Sequence, residues 1–146
     1  MHFVSHYLTF DTADTIDILN ITAAIQQQVA AAGVSQGHVV IFSCHTTTAV
    51  TVNEHEERLL ADIKTYLRKL APSQDRYLHN DLHLRDVPPD EPINAHSHLM
   101  AITLGNSETV PIVAGKLALG TYQSVILVEL DGPRQKRKVL IQICGT

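Results

Sequence analysis

Hydrophobic and polar residues alternate with a strand period near the N-terminus and then with a helix period. The loose alternation over residues 3–10 and the segment 15–19 predict two strands, which the turn-prone residues between them would join as a hairpin. Apolar residues then recur at three- and four-residue steps after Asn20 or Thr22, and either residue can cap a helix. We expect that helix to end at Gly33 in a left-handed conformation.

The middle of the chain predicts a buried strand and two more helices. Residues 39–42 are all apolar, as in a strand inside the core. An apolar stripe over residues 59–70 predicts a helix that Pro72 stops, and residues 94–104 predict a short helix closed by Gly105. Between these helices, residues 75–92 show no regular period, and a loop of this length inside a domain is usually functional or disordered.

The last third of the chain is rich in β-branched and apolar runs, which predicts several antiparallel strands. The predicted strands are residues 109–113, 116–119, 121–130 and 137–144. Residues 124–130 are apolar on both faces, so we expect the core on one side of this strand and another subunit or layer on the other. The basic turn of Arg134, Lys136, Arg137 and Lys138 predicts a solvated edge, with an anion site as the alternative.

The composition is that of one globular domain spanning residues 1–146. Hydrophobic residues make up 45% of the chain, and no apolar run approaches the ~18 residues of a membrane span. The N-terminus lacks the basic and apolar segments of a secretory signal, so we expect a cytoplasmic protein. A net charge of −4 with no basic face argues against nucleic-acid and membrane partners.

Two cysteines, Cys44 and Cys144, lie in apolar surroundings with no partner at a metal-binding or redox spacing. This pattern predicts buried free thiols. Cys44 beside His45 as a nucleophile is the alternative, although no neighbouring group is evident that would activate it.

Nine histidines are the unusual feature of the composition, because imidazole is the commonest metal ligand and the side chain best suited to proton transfer near pH 7. The stretch 45–54 begins with His45, contains four threonines and ends with Asn53 and Glu54. An unbroken strand from 39 to 53 would exceed the usual ~3–10 residues, so we expect a bend near residues 43–47 that re-aims His45. An exposed hairpin is the alternative, and Asn53 or Glu54 could instead cap the next helix.

The irregular segment 75–92 contributes a second group of candidates. His79 and Asp81 could ligate a metal or pair as a base and its orienting carboxylate. His83 and Asp86 could equally be solvated loop residues.

The predicted helix 94–104 contributes a third group. His96 and His98 are two residues apart and therefore point to nearly opposite sides of a helix, so only one of them can face a shared centre. We expect His98 to be the inward one, with a hydrogen-bonded core histidine as the competing explanation.

Several ordered motifs together resemble the YjbQ family, also called the UPF0047 or secondary thiamine-phosphate synthase family. They are His45-Thr46-Thr47, Asn53-Glu54, His79-Asn80-Asp81, Asn94 with Ser97-His98-Leu99, the run from Gly115 to Gln123, and Asp131-Gly132-Pro133-Arg134. The resemblance covers almost the whole chain, and Tyr122 stands where the family often has tryptophan.

The resemblance implies an α+β fold, in which a two-sheet, mostly antiparallel β-sandwich carries about three helices on the outside. It also implies a homotrimer, for which the strands from 116 to 130 are the expected contact. The family's histidine positions map onto His45, His79 and His98, where the resemblance implies a metal or an anion. The activity that it implies is a weak thiamine-phosphate synthase, which joins a pyrimidine diphosphate to a thiazole phosphate.

We therefore expect a metal-dependent enzyme with zinc, or else magnesium, on the three histidines, since three imidazoles with an open fourth position suit zinc. The predicted catalytic residues are His45, Glu54, Asp81 and Gln123. The predicted ligand-binding residues are Thr46, Thr47, Asn53, Lys116 and Arg134, the last two as cations for a small phosphorylated metabolite. The chain has no glycine-rich phosphate loop and no acidic magnesium cluster, so it supports a histidine-lined site better than thiamine-phosphate synthesis. A non-catalytic metal- or ligand-binding trimer and a purely structural protein are the alternatives.

Overall fold

Two antiparallel sheets and three helices make up the fold of the computed structural model, which describes residues 1–146. The five-stranded sheet has the order β1 (His2–Phe10), β8 (Arg137–Gly145), β3 (Gln36–Ser43), β5 (Ser107–Val113) and β6 (Lys116–Leu117). The three-stranded sheet has the order β2 (Asp17–Asn20), β7 (Ser124–Glu129) and β4 (Thr48–Asn53). The helices are α1 (Thr22–Ala32), α2 (Glu57–Leu70) and α3 (Ala95–Leu104). The expected α+β class with two antiparallel sheets and three helices is confirmed.

The predicted hairpin at the N-terminus is wrong. Strand β1 pairs with β8, whereas β2 pairs with β7 in the other sheet. The connection between them is held by Thr12, which is buried and whose backbone N–H donates to the carbonyl of Arg134 at 2.8 Å. Because Ile16 is also buried, these residues form a crossing between the sheets rather than a surface turn.

Two hydrophobic cores lie on the two sides of the three-stranded sheet. One core fills the space between the sheets and under α1, and Val125 and Leu127 of β7 belong to it. The other lies under α2 and α3, and Ile126 and Val128 belong to it. The double covering predicted for this strand therefore comes from another layer of the same chain. Strand β7 itself is therefore covered on both faces within one chain, whereas residues 116–123 of the expected subunit contact are exposed or half-buried.

Helix boundaries agree with the sequence, but the N-caps of α1 and α2 and one strand differ. The N-cap of α1 is Ile21, and not Asn20 or Thr22. Gly33 ends α1 with φ 68°, as predicted. Helix α2 is capped by Glu56, which accepts from the backbone N–H groups of Arg58 and Leu59, and not by Asn53 or Glu54. Of the predicted strand 116–119, only two residues are extended, because the chain leaves the sheet edge after Leu117. The longest helix has 14 residues, and none is long and apolar enough to cross a membrane.

The expected bend falls between Ser43 and Thr48, where the chain leaves one sheet for the other. We call residues 44–47 the crossing segment. Cys44 lies in this segment and is exposed, and Cys144 on the outer face of the five-stranded sheet is half-buried, so the prediction of buried thiols is wrong. Both thiols are free.

Candidate functional site

A cavity of about 420 Å³ lies where the crossing segment meets α3. Its lining residues come from the crossing segment, the start of β4, α3 and the turn that follows α3, and we call it the histidine cavity. The residues are His45, Thr46, Thr48, His98, Ala101, Ile102, Gly105 and Asn106. The two imidazoles thus reach one space from elements that are 53 residues apart in sequence (98 − 45).

His45 is held in one tautomer by the backbone. Its Nε2 accepts a hydrogen bond of 2.8 Å from the N–H of Lys138, so the neutral ring carries its proton on Nδ1. Burial lowers the pKa of His45, and the nearby guanidinium of Arg137 lowers it further, with the carboxylate of Glu129 opposing. The ring is therefore neutral near pH 7 and has a single N–H available as a donor.

A buried ion pair fixes the walls around the crossing segment. Arg137 donates from Nε and Nη2 to the carboxylate of Glu129 at distances of 2.7 to 3.0 Å, and both residues are buried. The same Nη2 donates to Oγ1 of Thr47 at 3.0 Å, and Thr12 donates to Glu129 at 2.9 Å. Thr47, predicted to bind ligand, instead anchors the crossing segment to this pair. Arg137 is buried too, so the predicted solvated edge is wrong at this residue.

His98 stands against His79, with ring centroids 4.7 Å apart and planes at 78°. Burial lowers the pKa of His98, and the neighbouring His79 lowers it further, while Asp131 and the Thr46 backbone oppose this. The Nε2 of His79 is buried without a hydrogen-bond partner. The pair therefore presents an imidazole that stays neutral near pH 7 beside a second one with an unused nitrogen.

An apolar groove of about 340 Å³ lies on the other side of His98. It is lined by Tyr77, Leu78, His79, Ala95, His98 and Leu99. His98 therefore lies between a cavity lined mainly by polar residue types and a more apolar groove, an arrangement that suits a ligand with a polar part and a hydrophobic part.

Asp131 and Arg134 lie at the rim of the site and are bonded to each other. Arg134 donates from Nη2 to the carboxylate of Asp131 at 2.9 Å and from Nε to its carbonyl oxygen. Asn94 donates to the same carboxylate at 2.8 Å, and its own Oδ1 is buried without a partner. Arg134 is also among the cations that lower the pKa of His45. The predicted anion contact at Arg134 thus falls close to the histidine cavity.

The donor atoms do not fit the expected zinc site on three histidines. A neutral imidazole that ligates a metal through one nitrogen carries its proton on the other. Because Nε2 of His45 already accepts from Lys138, its Nδ1 bears the proton and cannot ligate. No three His, Cys, Asp or Glu side chains in the structure are placed to hold a metal ion.

Three other predicted site residues lie together, but elsewhere. Asn53, Glu54 and Gln123 line an open surface pocket beside Tyr122. Gln123 uses its Oε1 to accept from the N–H of Gly120 at 2.8 Å, which shapes the turn before β7. The structure therefore separates these side chains from the histidine cavity within one chain.

The remaining candidates do not line the histidine cavity either. Asp81 pairs with Arg76 at 2.7 Å, and Lys116 is exposed on β6 at the edge of the sheet. Lys116 pairs with Val113 at the end of β5 remote from Asn106, about 20 Å away along a seven-residue strand. His83 is exposed on a single 3₁₀ turn, and His96 faces a different cavity.

Sequence reasoning missed four contributors to the site: Thr48, Asn106, Arg137 and the backbone of Lys138. Thr48 lines the cavity, and its hydroxyl hydrogen-bonds the hydroxyl of Ser43. Arg137 has the same parity in its strand as the buried Val139 and Ile141. The alternation of buried and exposed residues in β8 therefore indicates from the sequence that Arg137 points into the core, unlike the exposed basic residues beside it.

Comparison with known proteins gives a consistent result along the chain. Residues 6–146 match the family model described as UPF0047 protein YjbQ-like. A UPF0047 protein of Methanothermobacter thermautotrophicus is 36% identical over 145 residues, which is 99% of this chain and 94% of that protein. One of Archaeoglobus fulgidus is 40% identical over 133 residues, 91% of this chain and 96% of that protein.

Solved structures give the same picture. A Sulfolobus solfataricus protein, described as YbjQ-like and of unknown function, superimposes with a TM-score of 0.87 at 35% identity, covering 99% of this chain and all of the other. A hypothetical protein of Aeropyrum pernix gives a TM-score of 0.85 at 34% identity, with both chains covered completely.

Proposed function

The chain belongs to the YjbQ-like UPF0047 family, and we propose that its histidine cavity binds a small phosphorylated metabolite and transfers a proton to or from it through His98. The observation that carries this proposal is the position of His98 between a polar cavity and an apolar groove. His98 is the one titratable side chain that lines both the histidine cavity and the apolar groove.

The electrostatic surroundings support an anionic ligand. Arg137, Lys138 and Arg134 all disfavour a proton on His45, and Glu129 is the carboxylate that opposes them there. The field at His45 is therefore net positive. The Nδ1–H of His45, the hydroxyls of Thr46 and Thr48 and the amide of Asn106 supply hydrogen-bond donors that phosphate oxygens accept.

The pKa of His98 suits it to the role of base. A group that exchanges protons with a substrate works best when the proton-accepting form is populated at the working pH. Burial and the neighbouring His79 keep His98 neutral in that range. His79 is within contact of His98 and has a free Nε2, so it can orient the ligand or the base.

The thiamine-phosphate synthase reaction is a narrower proposal for the same cavity. A pyrimidine diphosphate and a thiazole phosphate each combine a ring with an anionic group, which matches the apolar groove beside the polar cavity. The carboxylates that act on the pKa values of His45 and His98 are Glu129 and Asp131, and they are bonded to Arg137 and Arg134 respectively. They are therefore not free to hold magnesium for diphosphate departure.

The test is to screen phosphorylated small metabolites against their unphosphorylated parents, by calorimetry for binding and by product analysis for turnover. A thiazole phosphate and a pyrimidine diphosphate belong in the panel. We expect phosphorylated compounds to bind preferentially. His98→Gln should retain affinity within a few-fold and lose at least ~100-fold in turnover, the usual worth of a general acid or base.

His83→Gln is the matched control, since His83 is exposed and lines neither space. Binding without turnover in the unmodified protein would favour the alternative of a non-catalytic ligand-binding protein. If no phosphorylated compound bound more tightly than its parent, the proposed substrate class would be wrong.

We also propose a homotrimer, now with a different contact surface. Strand β7 is covered within the chain, but the outer face of the five-stranded sheet exposes Phe3 at 67%, Tyr7 at 64% and Phe42 at 40%. The strand register places Tyr7, Leu140 and Phe42 side by side on that face. Light scattering should give three times the 16.1 kDa chain mass, and Tyr7→Glu should reduce it to one. A monomer at micromolar concentration would contradict the proposal.

A further inference from the structure

A second, more enclosed cavity of about 150 Å³ lies on the opposite side of α3 from the histidine cavity. His96 lines this cavity and His98 lines the other, as two residues on opposite faces of one helix do. A cavity of roughly this volume holds a molecule the size of benzene. The space is therefore large enough for a small organic molecule.

The floor of this cavity is apolar and its rim is polar. Ile16, Met100 and Leu130 form the floor, and all three are buried. The rim includes Arg68 from α2 and His96 from α3, with the side chains of Thr15 and Ser73 beside them. Arg68 supplies a positive charge to the cavity, and no carboxylate lines it.

Two polar groups at the rim lack partners. The Nδ1 of His96 is buried and makes no hydrogen bond. Arg68 forms no ion pair with any carboxylate of the chain. A buried nitrogen without a partner is costly, and an exposed guanidinium that lines the same cavity without an ion pair favours an anion that satisfies both groups.

We propose that this cavity binds a short-chain carboxylate. The carboxylate lies on Arg68 and His96, and the alkyl part lies over Ile16, Met100 and Leu130. A carboxylate accepts from a guanidinium through both oxygens and leaves the rest of the molecule apolar. Inorganic phosphate fits less well, because some of its oxygens would face the apolar floor without hydrogen-bond partners.

The test is an NMR titration of ¹⁵N-labelled protein with acetate, propionate, butyrate and inorganic phosphate at constant ionic strength, with the ring nitrogens of His96 as the reporter. We expect saturable shifts of His96 with the three carboxylates, and affinity rising from acetate to butyrate. Phosphate should bind at least tenfold more weakly than butyrate.

Arg68→Gln should weaken butyrate binding at least tenfold. The matched control is Arg58→Gln, an exposed arginine on the same helix that does not line the cavity, and it should leave the affinity unchanged. His98→Gln should also leave it unchanged, so the result is independent of the function proposed for the histidine cavity. Linear shifts without saturation, equal loss in both arginine variants, or phosphate binding as tightly as butyrate would each overturn the proposal.

Discussion

Removal of Arg137 gives the sharpest test of how this chain builds its site. The substitution Arg137→Met keeps much of the buried side-chain volume and deletes the guanidinium that donates to Glu129 and Thr47. Glu129 is completely buried, so its carboxylate would keep only Thr12 and the adjacent backbone as donors. The carboxylate cannot reach water without opening the sandwich.

The expected cost follows from that geometry. Breaking a buried ion pair by removing one partner destabilises a protein by ~3–5 kcal/mol. With an unfolding entropy of roughly 2.1 cal/mol/K per residue, a chain of 146 residues loses about 3 °C in melting temperature per kcal/mol. We therefore expect the melting temperature to fall by about 10–15 °C.

Urea unfolding at pH 7 measures the free-energy difference, and three variants make the result specific. Arg134→Met breaks the ion pair with Asp131. Because the side chain of Arg134 is 44% exposed, this change should cost under ~1 kcal/mol. The double variant Arg137→Met with Glu129→Leu removes both charges and should recover most of the loss, because apolar replacements of buried pairs are often neutral or better. A single variant that costs under ~1 kcal/mol, or a double variant worse than the single, would refute this account of the pair.

Three further predictions test neighbouring parts of the same site. The pKa values of His45 and His98 are lowered in the folded protein, so the unfolded chain binds more protons below pH ~6.5. The free energy of unfolding should therefore fall as the pH drops below that value. NMR titration of both rings checks the pKa values, and urea unfolding of His98→Gln should show a weaker dependence on pH. Gly132→Ala should destabilise the protein by at least ~1 kcal/mol, because the added Cβ would lie 2.7 Å from Cγ of Glu129 and closer still to the carbonyl of Asp14. Gly120→Ala is the control, and it should cost less because its Cβ would meet only the flexible side chain of Gln123. Urea unfolding measures both differences. Metal analysis after zinc dialysis should give the same zinc content for His45→Asn as for the unmodified protein, because Nδ1 of His45 carries a proton; a stoichiometric zinc lost in that variant would contradict the tautomer.

The elements of this fold followed from local pattern, and the pairing between them did not. The apolar period and the final glycine predict α1 and its left-handed Gly33, and the usual length of a strand predicts the bend before Thr48. The hairpin prediction for β1 and β2 failed because a short turn-like segment can equally cross between two sheets. Burial of Thr12 against Glu129 decides between these options, and that contact spans 117 residues, so no local pattern contains it.

The site residues divide in the same way. Sequence placed His45 at the end of a strand and chose His98 over His96 by helical geometry, and the structure brings His45 and His98 to one cavity. No local pattern predicts that the backbone N–H of Lys138, 93 residues away, donates a hydrogen bond to the ring nitrogen of His45 that a zinc ion would need. Glu54 lies in the same polar stretch as His45, but within one chain Glu54 and Gln123 line another surface.

Helix α3 determines how the two proposed sites are divided, and Ser97 fixes its rotation. Ser97 is completely buried and its Oγ donates to the carbonyl of Leu130 at 2.6 Å, which ties the helix to the end of β7. The flanking histidines then have no freedom to exchange sides: His96 faces the small cavity over Leu130, and His98 faces His79 and the histidine cavity. A helix of ten residues thus separates a cavity of about 420 Å³ from one of about 150 Å³. A ligand on one face can therefore act sterically on the other face only by moving this anchored helix.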